Sequence, residues 1–432
     1  MQGVSPEQVN YIIQNTEDAV CVLSSSGILL YTNTAAEKLF GISADQKTRF
    51  WDAVPFIQEN DSFIQLIIDA VINKMKAQEA IVEYYNDGSA HNVHVKIMCY
   101  KGDAVQFLMV ISDLTQLLKV NSAFTRYTSP EIAEYVLTSP NGERVGGTTR
   151  NVTILMSDLR GFTALSTRLS PDILIITLNH YFEKMSAIIK KNEGTILEFL
   201  GDGIFVVFGA PKEQSDHASR SVKCAIEMEN AMSEINNWNR QNGYPELEMG
   251  IGINSGNAVV GNIGSADKMK YGCIGSTVNM TGRVEGLTVG GQIFITENTK
   301  NLISEEIKFL SENSILLKGA ASLTKIYEVK SIGNTILCTH PLTDITWAER
   351  LAPEKYSFFI LEEKMVSGKE YTGTITRISE NRKYAIFSTD VSLKEKNNLM
   401  LKIKDEDAYA KVIHPTEDGY LICFTSINKD LL

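Results

Sequence analysis

The sequence predicts an α+β chain of three folded parts joined by a helical stretch. Three observations predict this. Short strands and helices alternate over residues 11–115. Apolar strand runs surround long helical patterns over residues 151–331. Residues 354–432 hold only short strand runs and turns. At 432 residues the chain has room for about two to four domains.

Composition narrows the function classes. Apolar residues make up 44% and charged residues 22%, an ordinary globular mixture. A net charge of −11 gives no footprint for nucleic acid or an anionic membrane. The six cysteines (Cys21, Cys99, Cys224, Cys273, Cys338 and Cys423) are scattered with no C-x-x-C pair, which suggests neither a disulfide framework nor a zinc site. The opening MQGVSPEQVNYIIQ lacks the basic stretch and apolar core of a signal peptide. No run approaches the roughly 20 apolar residues that span a bilayer. The expectation is a reduced, soluble, cytoplasmic protein without nucleic-acid partners or a membrane span.

In the first part, VCVLSSSGILLYTN (Val20 to Asn33) reads as a strand, a Ser-Gly turn and a second strand. AAEKLFG follows as a short helix stopped by Gly41. AIVEYYNDG, HNVHVKIMCYK and VQFLMVISDLT are three further strand runs. In this order, closing on ISDLT at Ile111 to Thr115, residues 1–115 resemble a PAS sensor domain. The resemblance implies a small-molecule or protein signal there, of unknown identity. His91 and His94 are expected on one strand face, as ordinary strand histidines rather than haem or metal ligands. The asparagine-cysteine flavin motif of light-sensing relatives is missing.

Residues 116–145 read as a helical transducer. The run LTQLLKVNSAFTRYTSPEIAEYVL restarts at Ser129-Pro130-Glu131, with an N-cap serine, proline at the first helical position and an acid in the first turn. The Gly-rich NGERVGGTTR then breaks the helix.

Residues 146–331 carry the chemistry. NVTILMSD is a strand ending at Asp158. Ser170-Pro171-Asp172 opens a helix with Leu174, Leu178, Tyr181, Phe182, Met185 and Ile189 at helical spacing. GTILEFLGDGIFVVFG is a hairpin turning at Gly201-Asp202. A helix from about Asp216 to Gln241 follows, then ELEMGIGINSG and AVVGNIG as a strand pair. A helix around Val278 to Glu285 and the late strands IFIT, SILLKG and KIYEV complete an α+β sandwich on a mostly antiparallel sheet. Neighbouring strands would bring Asp158 and Asp202 to one rim. Hard divalent cations favour one or two carboxylates plus substrate phosphates. The loop LRGFT after Asp158 offers backbone N–H groups to phosphate oxygens.

The flanks VTILMSDLRGFTALS, FLGDGIFVVFGAP, GIGINSGNAVVGNIGS and YGCIGSTVNMTGRVEG resemble, in order and spacing, the catalytic domain of class III nucleotidyl cyclases. That family implies a ferredoxin-like α/β sandwich and a head-to-tail homodimer with active sites at its interface. It implies two Mg²⁺ or Mn²⁺ ions per site, held by Asp158, Asp202 and the backbone at Leu159. Phe162 and Thr163 fall in the loop implied to meet the triphosphate. Asn279 matches the asparagine that orients the ribose. Arg283, four residues on and on the same helix face, matches the arginine that stabilises charge on the transferring phosphoryl. Lys318, in LLKG, lies where the family places a triphosphate-binding lysine.

Glu198 is an acid inside an apolar strand, four residues before Asp202. Period-two alternation expects both on one face, roughly 13 Å apart, too far to share a metal. In adenylate-making relatives the matching position is a lysine that donates to adenine. A carboxylate is acceptor-only and can take guanine's N1–H and N2 amino donors together. The partner position after Tyr271 is Gly272, with Cys273 one later. Adenylate-specific relatives put Asp or Thr there and many guanylate-specific ones Cys, so Gly272 is compatible with GTP without selecting it. The implied reaction is conversion of GTP to 3′,5′-cyclic GMP and pyrophosphate. The rival readings are an adenylate cyclase and a catalytically silent nucleotide-binding scaffold.

Gly250, Gly252 and Gly256 are spaced G-x-G-x-x-x-G without a following acid, so they are set aside as a dinucleotide fingerprint. Residues 354–432 resemble a PilZ-like small β-barrel. They lack the spaced arginine pair and the D/N-x-S-x-x-G of cyclic-dinucleotide binding, which points to a structural role.

Overall fold

A computed structural model of the chain describes residues 5–43, 47–73, 77–86, 88–317, 322–338, 345–348, 353–362, 365–366, 369–404 and 406–426. It divides into two compact units, Met1–Tyr127 and Thr128–Leu432.

The first unit runs α1 Pro6–Gln14, β1 Ala19–Ser24, β2 Leu29–Thr32, α2 Thr34–Phe40, α3 Phe50–Ala53, α4 Asp61–Ile72, β3 Ala77–Asn86, β4 Ser89–Lys101, β5 Val105–Asp113 and α5 Thr115–Tyr127. Gly41 stops α2 at φ +66°, as its sequence position predicts. The five strands form an antiparallel sheet in the order β2-β1-β5-β4-β3. Phe63, Ile64, Ile67, Ala70 and Val71 give α4 one buried stripe. Phe40, Phe50, Phe63 and Tyr84 pack with ring centroids 4.9–6.0 Å apart. His91 and His94 do not share a face, because three residues along a strand reverse the side-chain direction. His91 Nδ1 lies 2.9 Å from Asp113 and His94 Nε2 lies 2.7 Å from Glu79.

The second unit begins with α6 Pro130–Thr138, β6 Gly146–Leu159, α7 Phe162–Arg168, α8 Pro171–Lys191, β7 Thr195–Leu200, β8 Gly203–Phe208, α9 His217–Gln241, β9 Met249–Gly264, β10 Met269–Ile274 and α10 Ser276–Glu285. There follow β11 Ile293–Thr296, α11 Glu297–Leu302, β12 Ile307–Ile315, β13 Thr324–Ile332 and β14 Thr335–Ile336. Their sheet runs β12-β13-β11-β9-β6-β8-β7, with β10 on β9 and β14 on β13. β9 and β11 pair in parallel. Residues 249–264 are one continuous strand, not the expected strand pair, because β6 pairs with β9 along its whole length. α6 is part of this unit: Ile132 and Ala133 are buried, Ile132 in the core with Val152 and Ile154.

Alternation in β6 divides the apolar residues between two cores. Leu155 and Leu159 face a core with Tyr181, Met185 and Ile189 of α8 and Val222, Ile226 and Met228 of α9. Val152, Ile154 and Met156 face a smaller core with Ile132, Phe205, Tyr271 and Cys273. Asp158 continues this second set, so it opens on the face carrying α6 and α10.

The glycines of β9 explain how closely α10 approaches. A Cβ at Gly252 would reach within 2.5 Å of Glu285 Cα, and one at Gly256 would meet Thr277 Oγ1 at 3.0 Å. Gly252 and Gly256 are therefore a seat for α10, while Gly250 leaves space for Thr288 and the Arg160 side chain.

The C-terminal strands are β15 Glu354–Glu362, β16 Met365–Val366, β17 Tyr371–Ile378, β18 Tyr384–Ser388, β19 Asn398–Ile403, β20 Glu406–Thr416 and β21 Gly419–Ser426. β15, β17, β18, β21, β20 and β19 pair in a ring that β15–β19 closes. This is a closed six-stranded barrel filled by Phe358, Phe387, Leu399, Leu401, Val412 and Ile422 among others.

Candidate active site

Asp158 ends β6, and Asp202 sits in the β7–β8 turn. Gly201 turns the chain there at φ +69°, so Asp202 is held by the turn and strand alternation does not apply to it. Asp202 Oδ2 accepts the backbone N–H of Leu159 at 3.2 Å. Gly203 permits the close approach: a Cβ there would lie 2.8 Å from the Ser157 carbonyl oxygen and 3.4 Å from Asp158 Oδ1. Burial, followed by the neighbouring Asp158 charge, pushes the Asp202 carboxyl up to about 6. Arg160 Nη1 stands 4.0 Å from Asp158 Oδ2.

This donor set fits a hard divalent cation. Two crowded carboxylates at an open rim, with Asp158 42% exposed, leave coordination positions for water and phosphate oxygens. Among the described residues no cluster of three or more His, Cys, Asp or Glu side chains forms a closed cage.

Glu198 lies on the same sheet face as Asp158. Met156 pairs with Phe205, and Phe205 with Glu198, so these three form one cross-strand row two residues short of Asp158. A bulge between Ile196 and Glu198 sets that register. The Glu198 carboxylate is half exposed and pairs with Lys270 of β10, whose Nζ lies 2.5 Å from Oε2. Gly272 follows two residues along β10, and a Cβ there would meet only Ile263 Cδ1 closely, at 3.2 Å. Cys273 is 5% exposed within the smaller core. Burial pushes its thiol up to about 11, so it is a packed group with little surface to offer a ligand.

On α10, Thr277, Thr281 and Val284 are buried while Asn279 and Arg283 share the exposed face. Among the described residues no hydrogen bond or ion pair joins Asn279 or Arg283 to Asp158 or Asp202. Phe162 packs against the main core at the start of α7, and Thr163 beside it is exposed. Lys318 lies outside the described residues.

Sequence reasoning missed Lys270 and a partly buried ion pair next to the rim. Arg160 Nη2 pairs with Glu285 Oε1, their side chains 11% and 15% exposed. The available signal was positional: Arg160 follows Asp158 by two residues, and Glu285 follows Arg283 by two.

The family model described as the adenylate and guanylate cyclase catalytic domain matches residues 146–330. Residues 146–330 are a class III nucleotidyl cyclase domain. The PAS fold model matches residues 7–48, so a PAS fold lies N-terminal to the cyclase domain. The chain is 30% identical over 192 residues to adenylate cyclase 1 of Rhizobium meliloti (strain 1021), covering 44% of this chain and 29% of that one. It is 32% identical over 161 residues to the membrane guanylyl cyclase of Dictyostelium discoideum, covering 37% and 10%. It therefore spans less than a third of either relative. A crystal structure of the guanylyl cyclase Cya2 aligns at 45% identity over 45% of this chain and all of that one, with a TM-score of 0.44. Curated relatives of the cyclase domain bear both adenylate and guanylate names at similar identity, so likeness alone does not choose the base. Among the described residues no helix is long and apolar enough to cross a membrane.

Proposed function

We propose that the chain is a guanylate cyclase that converts GTP to 3′,5′-cyclic GMP and pyrophosphate as a homodimer, under control of its PAS fold. The observation that carries the choice of base is Glu198. Its half-exposed carboxylate accepts only, on the face that Asp158 shares. Guanine offers N1–H and N2–H donors to such a group; adenine offers a lone pair at N1, and an uncompensated charge facing it costs on the order of several kcal/mol.

Bound at Asp158 and Asp202, two Mg²⁺ or Mn²⁺ ions would neutralise the triphosphate and acidify the ribose 3′-OH. The 3′-oxygen gives its proton to water and forms its bond to the α-phosphorus as the bond from that phosphorus to the bridging oxygen breaks and pyrophosphate leaves. Asn279 orients the ribose, and Arg283 meets the charge that grows on the phosphoryl oxygens. Both face solvent without an ion pair or hydrogen bond to the aspartates, which supports a site completed by a second copy. Phe162, Thr163 and Lys318 would border the triphosphate. Retention of both aspartates, Asn279 and Arg283 argues against a silent scaffold.

One observation favours a second reading. Lys270 Nζ lies against Glu198, so a donor stands beside the acceptor. As the base reader, Lys270 would serve adenine, and the product would be cyclic AMP.

The test is turnover of GTP and of ATP by the purified chain with Mg²⁺ or Mn²⁺, reading cyclic products. Cyclic GMP at a kcat/KM at least tenfold above that for cyclic AMP is expected. The reverse ratio establishes the second reading, and no product from either nucleotide returns the chain to a scaffold.

A further inference from the structure

The barrel is docked on the cyclase domain by two groups near the C-terminal end of α10 and by one contact away from it. Val289, three residues beyond Gly286, packs among Tyr384, Ile386, Ile413, Leu421 and Cys423 on the barrel's outer surface. Ala410 and Val412 point into the barrel, so Lys411 between them points out, towards the cyclase domain. It is 4% exposed, and its Nζ donates to the carbonyl oxygens of Gly286 at 2.5 Å and Thr288 at 3.0 Å. Lys383 of the barrel reaches Glu248 at 2.8 Å, and the Glu248 carbonyl accepts the backbone N–H of Arg160 at 2.7 Å.

A helix end leaves carbonyls without intrahelical donors, and a basic group there also suits the helix dipole. Lys411 supplies both just beyond the last residue of α10, from 125 residues away in sequence. Burial, with Arg160 and Lys396 adding to it, lowers Lys411 to about 7, and either protonation form has N–H bonds enough for two carbonyls. The same helix end is tied to the residue that follows β6 by the Arg160–Glu285 pair. Asp158 lies two residues from one partner of that pair and Arg283 two residues from the other.

We propose that Lys411 is a positioning residue for the cyclase reaction, through which the barrel fixes the end of α10 and so the Arg283 side chain. This rests on the cyclase reading of Asn279 and Arg283. A transition-state contact misplaced by a fraction of an ångström lowers kcat, while substrate affinity made elsewhere is kept.

The experiment uses the full chain and the variants K411M and K383M. K411M keeps the length of the side chain and removes its donors; K383M removes a barrel contact that does not touch α10. Expected for K411M is a kcat at least tenfold below the parent, a KM within threefold, and faster amide exchange confined to the end of α10 and residues 286–288, with barrel amides unchanged. K383M should keep kcat within threefold. A K411M kcat within twofold of the parent overturns the proposal. So does an equal loss in K383M, which would make docking as a whole the cause. If K411M does not fold, K411Q, which keeps a donor for one carbonyl, is read against the same thresholds. If the parent makes no cyclic nucleotide, the cyclase reading fails, while unchanged α10 exchange in K411M still overturns the clamp.

Discussion

Lys270 Nζ stands 2.5 Å from Glu198 Oε2, so the one acid of strand β7 has a partner within the chain. Both side chains are about half exposed, and such pairs are worth roughly 0–1 kcal/mol. Guanine's two donors can therefore displace the ammonium. Lys270→Ala should leave GTP turnover intact and raise its kcat/KM by up to about fivefold, the equivalent of about 1 kcal/mol. ATP turnover should not fall. A selective loss of ATP turnover would instead make Lys270 the adenine reader.

Asp202→Ala and Arg283→Ala should each abolish turnover in a folded protein, and mixing the two should restore it. In a mixed dimer both lesions can fall in one site and leave the other whole. With random pairing about half the dimers are mixed and each has one intact site of two, so recovery should approach about a quarter of the parent rate. Absence of recovery after demonstrated subunit exchange would place both residues in the site of one protomer.

Glu229 gives a pH prediction away from the rim. It is 4% exposed on α9, and its Oε1 has no hydrogen-bond partner among the described residues. Burial raises its carboxyl well above the ordinary 4.5; Arg160 and Lys383 oppose this and Glu248 adds to it. A raised folded-state value means the folded chain holds a proton that the unfolded chain releases. Its stabilisation is full below 4.5 and is lost as pH rises towards the folded value, at no more than about 1.4 kcal/mol per pH unit. Glu229→Gln is isosteric and does not titrate. Its melting temperature should therefore gain on the parent's as pH rises from 5 to 8. A gap that stays constant over that range would mean that Glu229 is charged in the folded chain.

How much of this was legible in the sequence depended on the range of the interaction. The positions of Asp158 at a strand end and Asp202 at a turn could be read because these are local features. The capped helices and the small barrel were legible for the same reason, although β15, which closes the barrel, had no turn-bounded pattern to announce it. Gly250, Gly252 and Gly256 could be set aside as a dinucleotide fingerprint but not given a role, because a helix seat and a phosphate loop demand the same missing Cβ. Gly252 and Gly256 meet Glu285 and Thr277 of a later element, and Gly250 meets Thr288 and Arg160. Asp202 escaped the alternation argument because Gly201 had already ended the strand. Lys411 was invisible: a lysine in a strand reads as solvated until the fold places two carbonyls against it.

Base choice gives the most demanding test of the cyclase reading. Glu198→Lys with Gly272→Asp should cut GTP turnover steeply and raise use of ATP. The new lysine would oppose guanine's N1–H donor, and the new aspartate could accept from adenine's amino group. Position 272 accepts a Cβ if the flexible end of Ile263, 3.2 Å away, gives by a few tenths of an ångström. The native pair with Lys270 is lost in this variant, and two lysines then face one another. Lys270→Ala added to the double variant separates that repulsion from base reading. Loss of a bidentate charged contact costs on the order of 2–4 kcal/mol, so the ratio of kcat/KM for GTP and ATP should move by at least about tenfold to a hundredfold. Glu198→Ala alone should harm GTP turnover more than it helps ATP, because it removes one reader and supplies none. The measurement is kcat/KM for both nucleotides on each variant, with the metal ion held fixed. An unchanged ratio in both the double and triple variants would leave Glu198 as a solvated strand residue paired with Lys270.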